Sequence, residues 1–183
     1  NIYILLTIFI AGASLLTYII IFVPKFDYIQ GRIFSFFNRE TGTHNFQSDK
    51  AIESITSGGF FGKGIGEGVL KNRVPEAHTD YIISVISEEF GVVAIMLILL
   101  LFLILIYMVF KKISFETNDK VKLILIGSIS LILMQATIHI GVNIRLFPTT
   151  GMTLPFLSYG GSSIISTSIL AGIILNLTKR KIT

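Results

Sequence analysis

Residues 74–91, VPEAHTDYIISVISEEFG, bring Glu76, His78, Asp80, Glu88 and Glu89 together with Ser84 and Ser87 where a polar loop runs into an apolar stretch. A carboxylate at such a boundary suits proton transfer from an attacking hydroxyl. Winding a helix from Asp80 puts Ser84 at about +40°, Ser87 at about −20° and Glu88 at about +80°, one polar stripe with Glu89 on the opposite side. An ionised carboxylate at the centre of a bilayer costs about 2.5–3.5 kcal/mol, and such groups face a bundle interior or a wet cavity. Two plainer readings stand beside this one: Asp80 as a helix N-cap, and Glu88 and Glu89 as buried partners of Lys or Arg from other spans. His78 reads as satisfying a turn, because no second ligand stands at a metal-binding spacing.

A second polar cluster is HIGVNIRLFPTTGMTLPFLSYGGSS, residues 139–163. Pro148, Gly151 and Pro155 lie between two apolar runs, and Tyr159-Gly-Gly-Ser-Ser sits inside the second. Prolines and glycines at membrane depth mean broken helices, tolerated only against protein or water. Gly160 and Gly161 also permit close helix packing. Arg145 falls at an interface, where a fixed cation meets an anionic headgroup or snorkels. A third feature is GGFFGKGIGEGVLK, residues 58–71, with six glycines. It lacks a preceding strand, the GxGxxG spacing and a Walker pattern, so nucleotide binding is poorly supported. Its backbone must turn tightly or approach something closely.

The elements that position these residues are apolar helices. The chain of 183 residues is 52% hydrophobic and 14% charged, with a mean hydropathy of +0.77, which is too little charge to wet a soluble surface. Four stretches can each cross about 30 Å of hydrocarbon: Ile2–Val23, Tyr81–Phe110, Leu123–Asn143 and Leu154–Thr178. Val92–Phe110 has no charged or strongly polar residue, which argues against a soluble bundle. The expectation is an all-α, polytopic transmembrane bundle over residues 1–183, with one large loop at 24–80. Within that loop, Phe26, Ile29, Ile33, Phe36 and Phe37 fall on one helical face, suiting an interfacial helix or packing against the spans. Residues 39–48 read as a polar turn. Asp49–Ser57 reads as a helix with Ile52 and Ile55 inward, ended by Gly58-Gly59.

A net charge of +4 spread over scattered Lys and Arg gives no nucleic-acid stripe. The absence of cysteine removes disulfides and thiolate metal sites. Lys111, Lys112, Lys120, Lys122, Lys179, Arg180 and Lys181 crowd into about 17 residues, whereas seven cations spread over 56 in the long loop; positive-inside bias puts the C-terminus in the cytoplasm and the long loop outside. The chain opens at Asn1 directly into a span, with no cleavable signal, and reads as the C-terminal part of a longer protein.

PEAHTDYIISVISEEFG and GVNIRLFPTTGMTLPFLSYGGSS, in this order and each at a span boundary, resemble the SEDS proteins (shape, elongation, division and sporulation), which include FtsW and RodA. SDKAIESITSGGFFGKGIGEGVLK looks more like FtsW. The resemblance implies the last four spans of a ten-span fold in the bacterial cytoplasmic membrane, at the division septum. It implies polymerisation of lipid II, the undecaprenyl-pyrophosphoryl disaccharide-peptide, beside a class B penicillin-binding transpeptidase and other division proteins. Asp80 corresponds to the family's essential carboxylate and would act as general base, an aspartate in water being ionised at neutral pH. Tyr81 stands where the family motif has Phe. Thr150 stands where many relatives carry Lys, so no cationic role transfers there. The leaving pyrophosphate needs a cation: Lys71, Arg73, Arg145, or a bound divalent ion such as magnesium or manganese. With His78, Ser84, Glu88, Pro148, Pro155, Ser158 and Tyr159, these are the residues expected along the substrate path. A lipid-precursor flippase and a non-catalytic scaffold of the division machinery are the competing functions, and the physical pattern alone fits a transporter nearly as well.

Overall fold

The computed structural model describes residues 1–37, 43–74 and 76–179. The sequence divides into two compact units, Asn1–Phe46 and Gln47–Thr183. In the first, α1 (Ile2–Phe22) is 21 residues of almost unbroken apolar side chains, about 32 Å at 1.5 Å per residue and long enough to span a membrane. Pro24 opens a 3-10 turn, Pro24–Phe26, and α2 follows at Asp27–Phe37. The Gln30 side chain donates back to the last-turn carbonyls of Ile20 (2.8 Å) and Ile21 (3.0 Å), satisfying acceptors that the end of α1 leaves open. Of the five apolar residues expected on one face, Phe26, Ile29 and Phe36 are half-buried, while Ile33 and Phe37 are exposed.

The second unit begins within α3 (Thr43–Gly58), which starts earlier than the sequence suggested. Residues 43–48 are helical rather than a turn, and 38–42 lie outside the described residues. The inward face of α3 is Ser48, Ala51, Ser54 and Gly58, with Ile52 and Ile55 only half-buried. The reason is steric: a β-carbon on Gly58 would overlap the Ser87 carbonyl, so only small residues fit where α3 meets the next span. A short α4 (Leu70–Arg73) follows. Ala51, Leu70, Val74, Ala77, Tyr81, Val85 and Val142 then form one buried cluster, which ties the loop to the bundle.

Three long helices make the bundle: α5 (Ile82–Phe115), α6 (Asp119–Asn143) and α7 (Gly161–Thr178). Val109, Leu125, Ile129, Ile132 and Ile174 pack where they meet. Helix α5 is not the continuous span expected, because Gly91 (φ 78°, ψ −175°) breaks it into halves. Nor is residues 154–178 one span, since the helix starts only at Gly161; residues 154–160 are a turn closed by Ser158, whose hydroxyl accepts the Leu154 amide at 2.7 Å. A side chain on Gly161 would meet open space, so that glycine does not serve close packing between the described helices, whereas Gly160 lies against the Thr153 methyl. Lys111, Lys112, Lys120 and Lys122 lie at the facing ends of α5 and α6, and Arg180 and Lys181 are outside the described residues.

Candidate functional site

The break in α5 would strand carbonyls in the first half and amides at the start of the second. Unpaired backbone groups at membrane depth cost several kcal/mol each. The glycine-rich loop supplies the partners. Lys63 N donates to the Glu88 carbonyl (2.9 Å) and Gly64 N to that of Glu89 (3.1 Å), while Val92 N and Val93 N donate to the carbonyls of Gly59 (3.0 Å) and Phe60 (3.4 Å). The approach is so close that a β-carbon on Gly62 would overlap the Glu89 carbonyl, and one on Gly91 the Phe60 carbonyl. Gly58, Gly62 and Gly68 therefore serve close approach to the chain's own broken helix.

The Glu88 carboxylate completes this splice. Its Oε1 takes the Lys63 ammonium (2.8 Å), and its Oε2 takes the amides of Val69 (3.0 Å) and Leu70 (2.9 Å). The side chain is 3% exposed. Glu88 is ion-paired, but its cation comes from the glycine-rich loop and not, as expected, from another span. Glu89, expected on the opposite side, instead flanks Gly68 together with Glu88.

Asp80 lies one residue outside α5, in the turn 76–81, and is half-buried. It is not the N-cap. Tyr81 holds that position and makes no side-chain capping bond. The amide that a capping side chain would reach, Ser84 N, goes instead to Asn143 Oδ1 on α6 (3.2 Å), which also accepts the Ser84 hydroxyl (2.7 Å). Asn143 Nδ2 donates to the Asp80 carbonyl (3.0 Å) and to the His139 carbonyl (2.9 Å). Inside the turn, Thr79 N and Asp80 N both donate to the Glu76 carbonyl at 3.0 Å.

The connection between α6 and α7 lies over this turn. Tyr159 N donates to the His78 carbonyl (3.1 Å), and Ser158 Oγ donates to the Thr79 carbonyl (2.7 Å). Gly151 faces Asp80, since a β-carbon there would stand 3.5 Å from Oδ2. His139, fully buried, holds the Met152 carbonyl through Nδ1 (2.7 Å), and its Nε2 is buried with no hydrogen-bond partner. Among the described residues, three non-glycine residues take the left-handed conformation, Glu76 (φ 61°), Arg145 (φ 58°) and Phe156 (φ 67°), each at a cost of about 1–3 kcal/mol. All three lie in the two segments that frame Asp80.

Of the residues expected along a substrate path, the structure brings His78, Pro148, Pro155, Ser158 and Tyr159 into these two segments. Tyr159 is 81% exposed, and Ser158 and Pro155 are buried. Ser84 is fully buried on Asn143. Arg145 pairs with Asp49 of α3, and Arg73 is exposed. The Lys71 side chain lies outside the described residues. Among the described residues no three carboxylate or imidazole groups converge as a metal site. Sequence reasoning missed Asn143, His139 and Lys63. A cavity of about 750 Å³ lined by Leu101, Met108, Phe115, Ile174 and Thr178 sits toward the Lys111–Lys112 end of α5, and no residue of the 76–81 turn lines it.

Among the described residues, four helices long and apolar enough to cross a bilayer, with a carboxylate-bearing turn clasped at one boundary, define a multi-pass membrane protein. The chain belongs to the FtsW/RodA/SpoVE family: the family model, described as cell cycle protein, matches residues 1–182. Similar proteins include the probable peptidoglycan glycosyltransferase FtsW of Enterococcus hirae, 40% identical over 138 residues, covering 75% of this chain and 35% of that one. That of Caulobacter vibrioides is 39% identical over 158 residues, covering 85% and 40%. That of Geobacter metallireducens is 35% identical over 177 residues, covering 94% and 47%. A chain from a solved peptidoglycan synthase complex, in which polymerization and crosslinking are coordinated, superposes with a TM-score of 0.70 at 27% identity, covering 96% of this chain and 48% of its own length. The chain thus spans under half the length of the curated relatives it matches.

Proposed function

We propose that the whole protein is a peptidoglycan glycosyltransferase that polymerises lipid II into glycan strands during cell division, with Asp80 as general base. The observation that carries this reading is the placement of Asp80: a half-buried carboxylate outside the helix ladder, in a turn clasped by α6 and by the connection to α7. In the step proposed, the acceptor sugar hydroxyl attacks the anomeric carbon of the donor as its proton passes to the Asp80 carboxylate. The new C–O bond replaces the bond to undecaprenyl pyrophosphate, which leaves, and direct displacement inverts the sugar carbon. Exposed Arg73 and His78 stand nearest in sequence to meet the departing negative charge, while Arg145 would have to exchange Asp49 for it.

The lysine-rich ends of α5 and α6 support a cytoplasmic position for that side, with the Asp80 turn outside. There the protein would work at the septum beside a class B penicillin-binding transpeptidase, in keeping with its likeness to a synthase complex. A flippase would use a broken span to line a wet path. Here the break in α5 is filled by the chain's own loop, which favours polymerisation over translocation.

The test is polymerisation of purified lipid II by the full-length protein carrying Asp80→Ala or Asp80→Asn. Both variants are expected to fold and make no glycan. Normal glycan synthesis by either would remove the general-base reading. Loss of lipid translocation alone would point to a flippase, and no change in either activity to a scaffold.

A further inference from the structure

Asn143 makes four hydrogen bonds through one buried amide, and they join the end of α6 to the start of α5 across about sixty residues of sequence. Oδ1 accepts the Ser84 amide and hydroxyl, and Nδ2 donates to the carbonyls of Asp80 and His139. The side chain is fully buried. With Tyr81 as N-cap, Ser84 is the third helical residue, whose amide is ordinarily taken by the capping side chain. Asn143 thus caps α5 from another helix. In this contact Asn143 grips Asp80 through its main-chain carbonyl. The same α6 turn holds the other wall, since His139 fixes the Met152 carbonyl next to Gly151, which faces Asp80.

We infer that Asn143 is a positioning residue for Asp80, tying its main chain to the first turn of α5 and fixing the height of the 80-turn against the connection to α7. This inference rests on reading Asp80 as the general base. Misplacing a reacting group by about 1 Å costs on the order of 100-fold in rate, so the effect belongs in kcat rather than in substrate binding.

The experiment compares steady-state lipid II polymerisation by the full-length protein as wild type, Asn143→Ala, Asn143→Asp and Asp80→Asn, with hydrogen exchange read over residues 80–84. Asn143→Ala is expected to lower kcat about 100-fold with KM within about threefold, and to speed exchange at Ser84. Asn143→Asp keeps the volume and the oxygen that caps Ser84 but loses the donor to the Asp80 carbonyl. It is expected to retain slow exchange at Ser84 and to lose about tenfold in kcat, and it carries the test should the alanine variant fail to accumulate. A wild-type kcat in Asn143→Asp, or in a folded Asn143→Ala, alongside an inactive Asp80→Asn overturns the positioning role and leaves Asp80 standing. So does a loss confined to KM. An active Asp80→Asn overturns the base assignment itself, whatever Asn143 does.

Discussion

Replacing Glu88 should separate its two oxygens. In Glu88→Gln, the retained carbonyl oxygen can occupy the Oε2 position and keep both amide bonds, from Val69 and Leu70. Only the Oε1 contact to Lys63 is lost, and the Lys63 side chain, 36% exposed, can turn to water. The expected cost is about 1–2 kcal/mol, the loss of one charge-assisted bond and the weakening of two others. In Glu88→Ala both amides lose their acceptor in a buried setting, at about 1–3 kcal/mol each, for a total of about 2–6 kcal/mol. Lys63→Met instead leaves a carboxylate oxygen without its cation; with Lys63 36% exposed, water can take its place, and the cost is about 1–2 kcal/mol, below that of breaking a fully buried pair. Equilibrium unfolding of the full-length protein in mixed micelles measures all three, and amide exchange at Val69 and Leu70 reports the local event. The reasoning is refuted if Ala and Gln destabilise equally, or if exchange at 69–70 is unchanged in Glu88→Ala.

Gly62→Ala should be costly beyond its left-handed φ of 78°, which alone costs about 1–2 kcal/mol for a residue with a β-carbon. The methyl overlaps the Glu89 carbonyl, so protease sensitivity at 58–68 should rise as the loop withdraws; an unchanged cleavage pattern would count against the splice. Glu116 follows the last turn of α5, and the Lys112 hydrogen bond, then the Asn118 and Thr117 amides, hold its carboxyl below the usual range. A depressed folded pKa contributes stability above the unfolded value near 4.3, lost as pH falls through the lower folded value. Side-chain carbon NMR of Glu116 should therefore show a midpoint below that of an unstructured peptide, and Lys112→Ala should move it back up.

Much of the architecture could be read from hydropathy, because an apolar run of twenty residues has few other uses. The polar stripe at 84–88 was also visible, since a helix's period fixes which residues share a face. The break at Gly91 was not. A single glycine in an apolar run costs a helix only about 1 kcal/mol, and its meaning lies in a loop about thirty residues upstream that completes the hydrogen bonds. Both the glycine run and the odd glycine were on view, but nothing local pairs them. Asn143 was passed over for a similar reason. It sits in a stretch read as span, and its partners, Ser84 and Asp80, are 59 and 63 residues away. The late start of α7 shows the opposite case, with Pro155 and Gly160 warning of a turn that the hydropathy window overrode.

The splice at Gly91 also bears on how the chain acquires its structure. A membrane helix ordinarily closes its own ladder as it enters the bilayer, before it meets any neighbour. Here four rungs beside the break belong to loop residues 59–64, so the two halves of α5 cannot be finished without that loop seated between them. Insertion of this span and folding of the loop are one cooperative event, and heat or denaturant should release both together.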